Sequence, residues 1–386
     1  MTGDDTPRSG EPKTVLQVLP ALGTSGGVER GTVEIAAAIA GTGWRPLVAS
    51  AGGPRADEVR EAGGCHMVLP LDRKAPWALR ANAGLLADLI RRERVDLVHA
   101  RSRAPAWSAH AAARRTGRPF VTTFHGTYGA SWFGKRAYNR IMTRGNRVIA
   151  ISEFIARHVR EVYGVGDDRL RVVPRGVDVA AFDPALIGPD RWEPLTRSWN
   201  LNDGWPVVMM PGRLTRWKGQ RVLIDAVAAL GRRDIHCVLV GDDQGREDYR
   251  DELQKAIRKA GLNDVFRMVG VVQDMPAAYY LADVVVSASI EPEAFGRVAI
   301  EAQAMGRPIV ATDHGGSTET VRPGETGWLV RPNDANALAA GINEALALAS
   351  DARTKLGQTA IAHIRADYTT ALMGSRVLAV YRELLP

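Results

Sequence analysis

Two glutamates, Glu293 and Glu301, stand out in the stretch SIEPEAFGRVAIEAQAMGRP from Ser289 to Pro308. An ionised carboxylate is an acceptor-only group that can take hydrogen bonds from two hydroxyls at once. The stretch follows ADVVVSAS, which reads as a buried strand, and a helix is expected to start near Gly296 or Arg297. Glu293 then lies in the loop at the strand's end, and Glu301 about one turn inside the helix. The amides of Phe295, Gly296 and Arg297 are left to donate to an anion at the helix start. Such a set could hold two hydroxyl-bearing parts of one ligand with its phosphate between them. The plainer alternative makes Glu293 a helix-start charge and puts Glu301 on a wet face. Val298, Ala299, Ile300, Ala302 and Ala304 around Glu301 do not read as a wet face. Glu291 reads as a surface residue.

Four further strand-end stretches invite similar chemistry. In PGRLTRWKGQ (211–220), Arg213 and Lys218 bracket a turn into a helix. A planar guanidinium and a point-charge ammonium suit a diphosphate. As ordinary surface cations they would sit at the unfavourable end of the helix dipole. GTSGGVERG (23–31) puts Gly26 and Gly27 at a helix start, where backbone can approach a ligand closely. It is not G-x-G-x-x-G, so a dehydrogenase is not expected. DHGGSTETV (313–321) is a third glycine-rich junction, with Glu319 in the first turn of its helix. FHGTYG (124–129) places His125 at a strand's end, where a structural and a functional histidine are both possible.

The elements that must position these residues alternate. TVLQVLP, RPLVAS, HMVLP, VDLVHA, PFVTTF and RVIAI read as strands in the first half, and WPVVMM, IHCVLVG, VFRMVG, ADVVVSAS, RPIVAT and GWLVRP in the second, with helical patterns between. That alternation predicts an α/β protein of two Rossmann-like, doubly wound domains. A ligand is expected at the carboxyl ends of the strands, in the cleft between the domains. The Pro-, Asn-, Asp- and Gly-rich segment 183–205 reads as the join. The domains are placed at 14–185 and 203–365, with a last helix over 366–386.

The 386 residues suit two domains. Cys65 and Cys237 are too distant and too few for a disulfide framework or a zinc finger, so a reducing cytoplasm is expected. MTGDDTPRSGEPKT reads as a polar tail, not a signal peptide. Residues 1–190 carry 27 Lys and Arg against 19 Asp and Glu, and the remainder 23 against 24. Ten of the cations, from Arg101 to Arg147, fall between Asp96 and Glu153 with no acidic residue among them. The first domain therefore reads as a candidate for an anionic partner, or as a solvated arginine-rich surface. SWFGKRAYNRIMTRGNR (131–147) mixes Trp132, Phe133, Tyr138, Ile141 and Met142 with five cations, as an interfacial helix on an anionic membrane would. A packed helix with wet cations is the alternative.

In order along the chain, GGVE, His-Gly, G-R-x4-K-G, E-x-F-G-x4-E-A, A-x-G-x-P and G-G resemble the retaining glycosyltransferases of family 4, with the GT-B fold, over roughly residues 14–365. The Glu293–Glu301 pair after Arg213 and Lys218 is the specific part. The resemblance implies a nucleoside-diphosphate sugar as co-substrate, no cofactor and no metal. It implies an acceptor bound by the first domain, and a final helix, ALMGSRVLAVYRELL, crossing back to that domain. Arg213 and Lys218 would neutralise the diphosphate, Glu301 would bind the ribose, and Glu293 would hold hydroxyls of the transferred sugar. Phe295, Gly296 and Arg297 would donate backbone N–H groups. Gly26 and Gly27 would approach the diphosphate and the acceptor from the opposite domain, His125 would contact the sugar near the reacting carbon, and Val269 and Gly270 would sit by the base. Glu293, His125, Arg213 and Lys218 are the catalytic candidates.

No D-x-D occurs, which argues against a metal-dependent GT-A enzyme. The residues leave open whether Glu293 is a covalent nucleophile, and the resemblance favours same-face attack. The expected protein is a cytoplasmic enzyme, peripheral at the inner membrane face, that extends a glycan or lipid-linked acceptor in lipopolysaccharide or exopolysaccharide synthesis. A nucleotide-sugar epimerase or a phosphorylase of this fold, and a non-catalytic nucleotide-sugar binder, are the alternatives. Nothing in the sequence resembles a nucleic-acid-binding motif.

Overall fold

The computed structural model describes residues 12–24, 26–129, 133–201 and 203–385. The N-terminal tail through residue 11, and Trp132 in the proposed interfacial stretch, lie outside the described residues. The chain forms two compact units, one running to Pro174 and resuming at Ala371, the other Arg175–Thr370. No helix among the described residues is long and apolar enough to cross a membrane.

The first unit is built on seven parallel strands, β1 (Thr14–Val18), β2 (Arg45–Ser50), β3 (Cys65–Val68), β4 (Leu97–Ala100), β5 (Phe120–Phe124), β6 (Arg147–Ala150) and β7 (Leu170–Val172), in the order β3-β2-β1-β4-β5-β6-β7. The second has six, β8 (Val207–Pro211), β9 (His236–Val240), β10 (Phe266–Gly270), β11 (Val284–Ser287), β12 (Ile309–Thr312) and β13 (Gly327–Val330), in the order β10-β9-β8-β11-β12-β13. The central strands β1, β4, β8 and β11 are buried along their whole length. Helices on both faces demand this, and it is why these strands read as continuous apolar runs. Strand order reverses between β1 and β4, and again between β8 and β11. Beyond the carboxyl ends at such a reversal, the flanking loops part and leave room for a ligand.

The last helix, Thr370–Arg382, belongs to the first unit, as the resemblance implied. Its Met373, Val377, Leu378, Val380 and Tyr381 share a core with Val15, Ile35, Leu97, Val121 and Ile149. Just beyond it, Glu383 accepts hydrogen bonds from Arg147 at 2.5 Å and Arg171 at 2.8 Å.

Three details differ from the sequence reading. The units part at Pro174/Arg175, ahead of the segment taken as the join. Residues 183–205 fold with the second unit as a turn, Pro184–Leu186, and a helix, Pro189–Ser198, with Arg191 paired to Asp274 at 2.7 Å. Pro194 inside that helix disguised it. The three-residue strand β7 escaped notice because it is short and carries Arg171. The described part of the 131–147 stretch, 133–147, is not one amphipathic helix. It forms a short helix, Phe133–Asn139, and a 3-10 turn, Arg140–Thr143. Ile141 and Met142 are buried in the protein's own core, so neither is free to enter a membrane.

Candidate functional site

The loops after β8 and β11 meet at the second reversal. After β8 the chain passes exposed Arg213 and makes a 3-10 turn, Arg216–Lys218, into the helix Gln220–Leu230. Gly219, between turn and helix, has φ +81°. A Cβ there would overlap the carbonyl of Ala288, just past β11. Only glycine allows this approach, and the backbone N–H of Ile290 ties the loops by donating to the Trp217 carbonyl at 2.7 Å. The result aims Lys218 at the opposite loop. Its Nζ lies 2.7 Å from Glu293 Oε1 and 4.4 Å from the centre of the Trp217 ring.

Glu293 Oε1 also accepts from the Ser289 hydroxyl at 2.6 Å and the Ser287 hydroxyl at 3.5 Å. Burial on its own would raise the carboxyl pKa. The Lys218 charge and hydrogen bond, with those of the two serines, outweigh it and hold the group below the usual carboxylate range. Glu293 is therefore an anion at neutral pH, able to accept from sugar hydroxyls but not to serve as a general acid. Lys218 has three donors and uses one on Glu293, so it can also donate to a phosphate.

The helix Arg297–Ala304 begins where the sequence predicted, with Gly296 at φ +83° and no side-chain cap. Its N-terminus thus turns the positive end of the helix dipole toward this loop without a side-chain cap. The glycine-rich junction after β12 supports this loop from below. Gly316 N–H donates to the Glu293 carbonyl at 2.8 Å, and a Cβ on Gly316 would overlap the backbone of Phe295. Phe295 itself is buried, 5.9 Å from the Tyr368 ring.

Glu301 is 9% exposed. The Tyr279 hydroxyl donates to its Oε2 at 3.0 Å, and Arg297 Nε lies 3.4 Å from Oε1. Gly270, at the end of β10, lines a hollow of about 100 Å³ with Leu214, Gly241, Met268 and Val271, and Val269 precedes it, half-buried.

Lys218 and Glu293 are thus in contact, Gly296 and Arg297 continue the Glu293 loop into the helix that carries Glu301, and Arg213 stands at the head of the Lys218 loop. Gly26, Gly27 and His125 belong to the other unit. Gly26 precedes the helix Gly27–Ala40 at its N-terminus, without a side-chain cap. His125 follows β5, half-buried, with its backbone N–H 3.5 Å from the Tyr128 hydroxyl. Sequence reasoning missed Ser287, Ser289, Trp217 and Tyr279. The two serines had a signal: at i and i+2 in VVVSAS they share a face of the strand end.

The family described as Glycosyl transferases group 1 matches residues 193–363, and Glycosyltransferase Family 4 matches residues 25–181. A D-inositol 3-phosphate glycosyltransferase of Pseudarthrobacter chlorophenolicus is 34% identical over 235 residues, 59% of this chain and 53% of that protein. The chain spans between 53% and 62% of the length of the first such relatives it matches. A glycosyltransferase crystal structure from Rickettsia africae is 36% identical with a TM-score of 0.89, covering 97% of this chain and 99% of that one. Anabaena Alr3699/HepE, solved in complex with UDP-glucose, is 25% identical with a TM-score of 0.83, covering 96% of this chain and 100% of that one.

Proposed function

This chain belongs to the group 1 glycosyl transferases, glycosyltransferase family 4, with the GT-B fold, and from that premise we propose that it is a retaining, metal-independent hexosyltransferase using a nucleoside-diphosphate sugar. The observation that carries the reading is the Lys218–Glu293 pair at the β8/β11 reversal, between Arg213 and the uncapped helix start at Gly296.

In the proposed reaction the bond from the sugar's anomeric carbon to the diphosphate breaks. The leaving group's charge is met by Arg213, Lys218 and the helix N-terminus, which are fixed before the bond breaks. An acceptor hydroxyl forms the new bond on the same face, and its proton passes to the departing phosphate oxygen. Glu293 holds hydroxyls of the transferred sugar, His125 contacts that sugar near the reacting carbon, and Glu301 holds the ribose. Gly26 and Gly27 approach the diphosphate, and Val269 and Gly270 flank the base. The Anabaena complex with UDP-glucose supports uracil as that base.

The acceptor is a glycan or lipid-linked glycan of the cell envelope, reached from the cytoplasm. A small polyol phosphate is the second reading, favoured by the names of the curated relatives. Exposed Arg114, Arg115, Lys135, Arg136, Arg140 and Arg144 support contact of the first unit with an anionic membrane surface. Sedimentation with liposomes tests that contact: equal binding with and without anionic lipid removes it and leaves the transferase reading standing.

Incubation with UDP-glucose and an acceptor panel tests the reaction. Glycosylated product with retained anomeric configuration, in the presence of a chelator, is expected. Conversion of the sugar nucleotide without an acceptor would instead indicate an epimerase, and nucleotide binding without any turnover a non-catalytic binder.

A further inference from the structure

The first unit holds a buried cation that the nucleotide-sugar site does not use. Arg101 follows β4 directly, and its backbone N–H extends the sheet ladder to the Val18 carbonyl at 2.9 Å. Strand alternation puts its side chain on the face that carries His99, whose Nδ1 lies 2.7 Å from the Tyr381 hydroxyl. Arg101 is 2% exposed, yet among the described residues its Nε has no hydrogen-bond partner and no carboxylate forms an ion pair with it. A buried charge without a partner is costly and gives the fold nothing in return. Burial accordingly pushes the guanidinium below its usual value, opposed by Tyr381 and by the carboxylates of Glu34 and Glu29 nearby.

Glu29 faces the complementary problem. It lies in the first turn of the helix Gly27–Ala40, and its Oε2 is buried without a hydrogen-bond partner among the described residues. Arg101 follows β4 and Glu29 follows β1, so the two flank the first unit's strand-order reversal as Lys218 and Glu293 flank the second. The guanidinium offers only donors, and the carboxylate only acceptors. A hydroxyl does both, so two adjacent hydroxyls can satisfy the pair together. A phosphate would satisfy Arg101 but be repelled by Glu29.

We propose that Arg101 and Glu29 form a polyol subsite in the first unit, taking adjacent hydroxyls of the acceptor. This deepens the transferase reading and rests on it only for the word acceptor. The binding itself is independent of the nucleotide-sugar site in the other unit.

Saturation-transfer NMR on the full chain, with glucose, mannose and myo-inositol as probes and inorganic phosphate as competitor, tests it. At least one polyol should receive saturation from the wild type, and phosphate should not displace it. Arg101→Met should abolish the transfer while the thermal midpoint holds or rises, because an unpaired buried charge has been removed. Glu29→Gln, at a half-buried position, should weaken polyol binding by roughly tenfold and decides the matter if Arg101→Met does not fold. UDP affinity, measured alongside, should stay at its wild-type value in both variants. No transfer to any polyol, displacement by phosphate, or undiminished polyol binding in the variants would overturn the subsite. Polyol binding without UDP binding would sink the nucleotide-sugar reading and leave this one intact.

Discussion

Lys218 and Glu293 are 75 positions apart and in contact at 2.7 Å, and both side chains are nearly withdrawn from solvent. The pair joins the loops after β8 and β11 and leaves Lys218 with donors to spare. One contact therefore sets the geometry of a cation meant for phosphate and of a carboxylate meant for sugar hydroxyls.

The pair predicts how stability depends on pH. The folded Glu293 carboxyl titrates below its unfolded value, so its contribution is complete above the ordinary carboxylate range, around pH 4–5. It is lost as the pH falls through the lower, folded value. Thermal midpoints measured from pH 7 down to pH 3 should fall less steeply for Glu293→Gln than for the wild type. Parallel curves would mean that the carboxylate is not held as described.

Removing only the cation should be worse than removing both charges. Lys218→Met leaves a buried carboxylate unpaired, at a cost of about 3–5 kcal/mol. Adding Glu293→Gln should recover a good part of that, read by urea denaturation. Equal destabilisation in the single and double variants would contradict the coupling.

Glu293→Gln keeps the size of the side chain and most of its hydrogen bonds but loses the charge. Nucleotide affinity should change little, while turnover falls by roughly a hundredfold or more, as for other groups fixed to meet a transition state. A variant with wild-type turnover would remove Glu293 from the reaction.

Gly219 tests the loop approach that makes the pair possible. Alanine there must adopt a positive φ and also displace the Ala288 carbonyl. Gly219→Ala should destabilise by about 1–3 kcal/mol and reduce turnover more than nucleotide binding. Gly204→Ala, with positive φ but open space around it, should show only the smaller backbone effect.

Much of this was legible in the sequence because parallel strands buried on both faces leave an unmistakable apolar run, as in VVVS and VVMM. The burial of Glu301 could be read from its apolar neighbours, and the helix start at Gly296 from the glycine itself. What could not be read was tertiary. The Lys218–Glu293 contact depends on Gly219 meeting Ala288, and the support from Gly316 on a backbone contact with Phe295. The 131–147 stretch misled because its apolar residues fit a membrane face and a protein core equally well, and Ile141 and Met142 went to the core.

The most direct test is a thermal-shift and calorimetric comparison of UDP, GDP, ADP and dTDP on the wild type and on Arg213→Ala, whose exposed side chain leaves the fold untouched. A ligand that binds only the folded state raises the midpoint. One nucleoside diphosphate, UDP, should do so clearly, and Arg213→Ala should weaken it by roughly tenfold or more without moving the ligand-free midpoint. If none of the four shifts the wild type, the loops after β8 and β11 do not form a diphosphate site and the account fails at its centre.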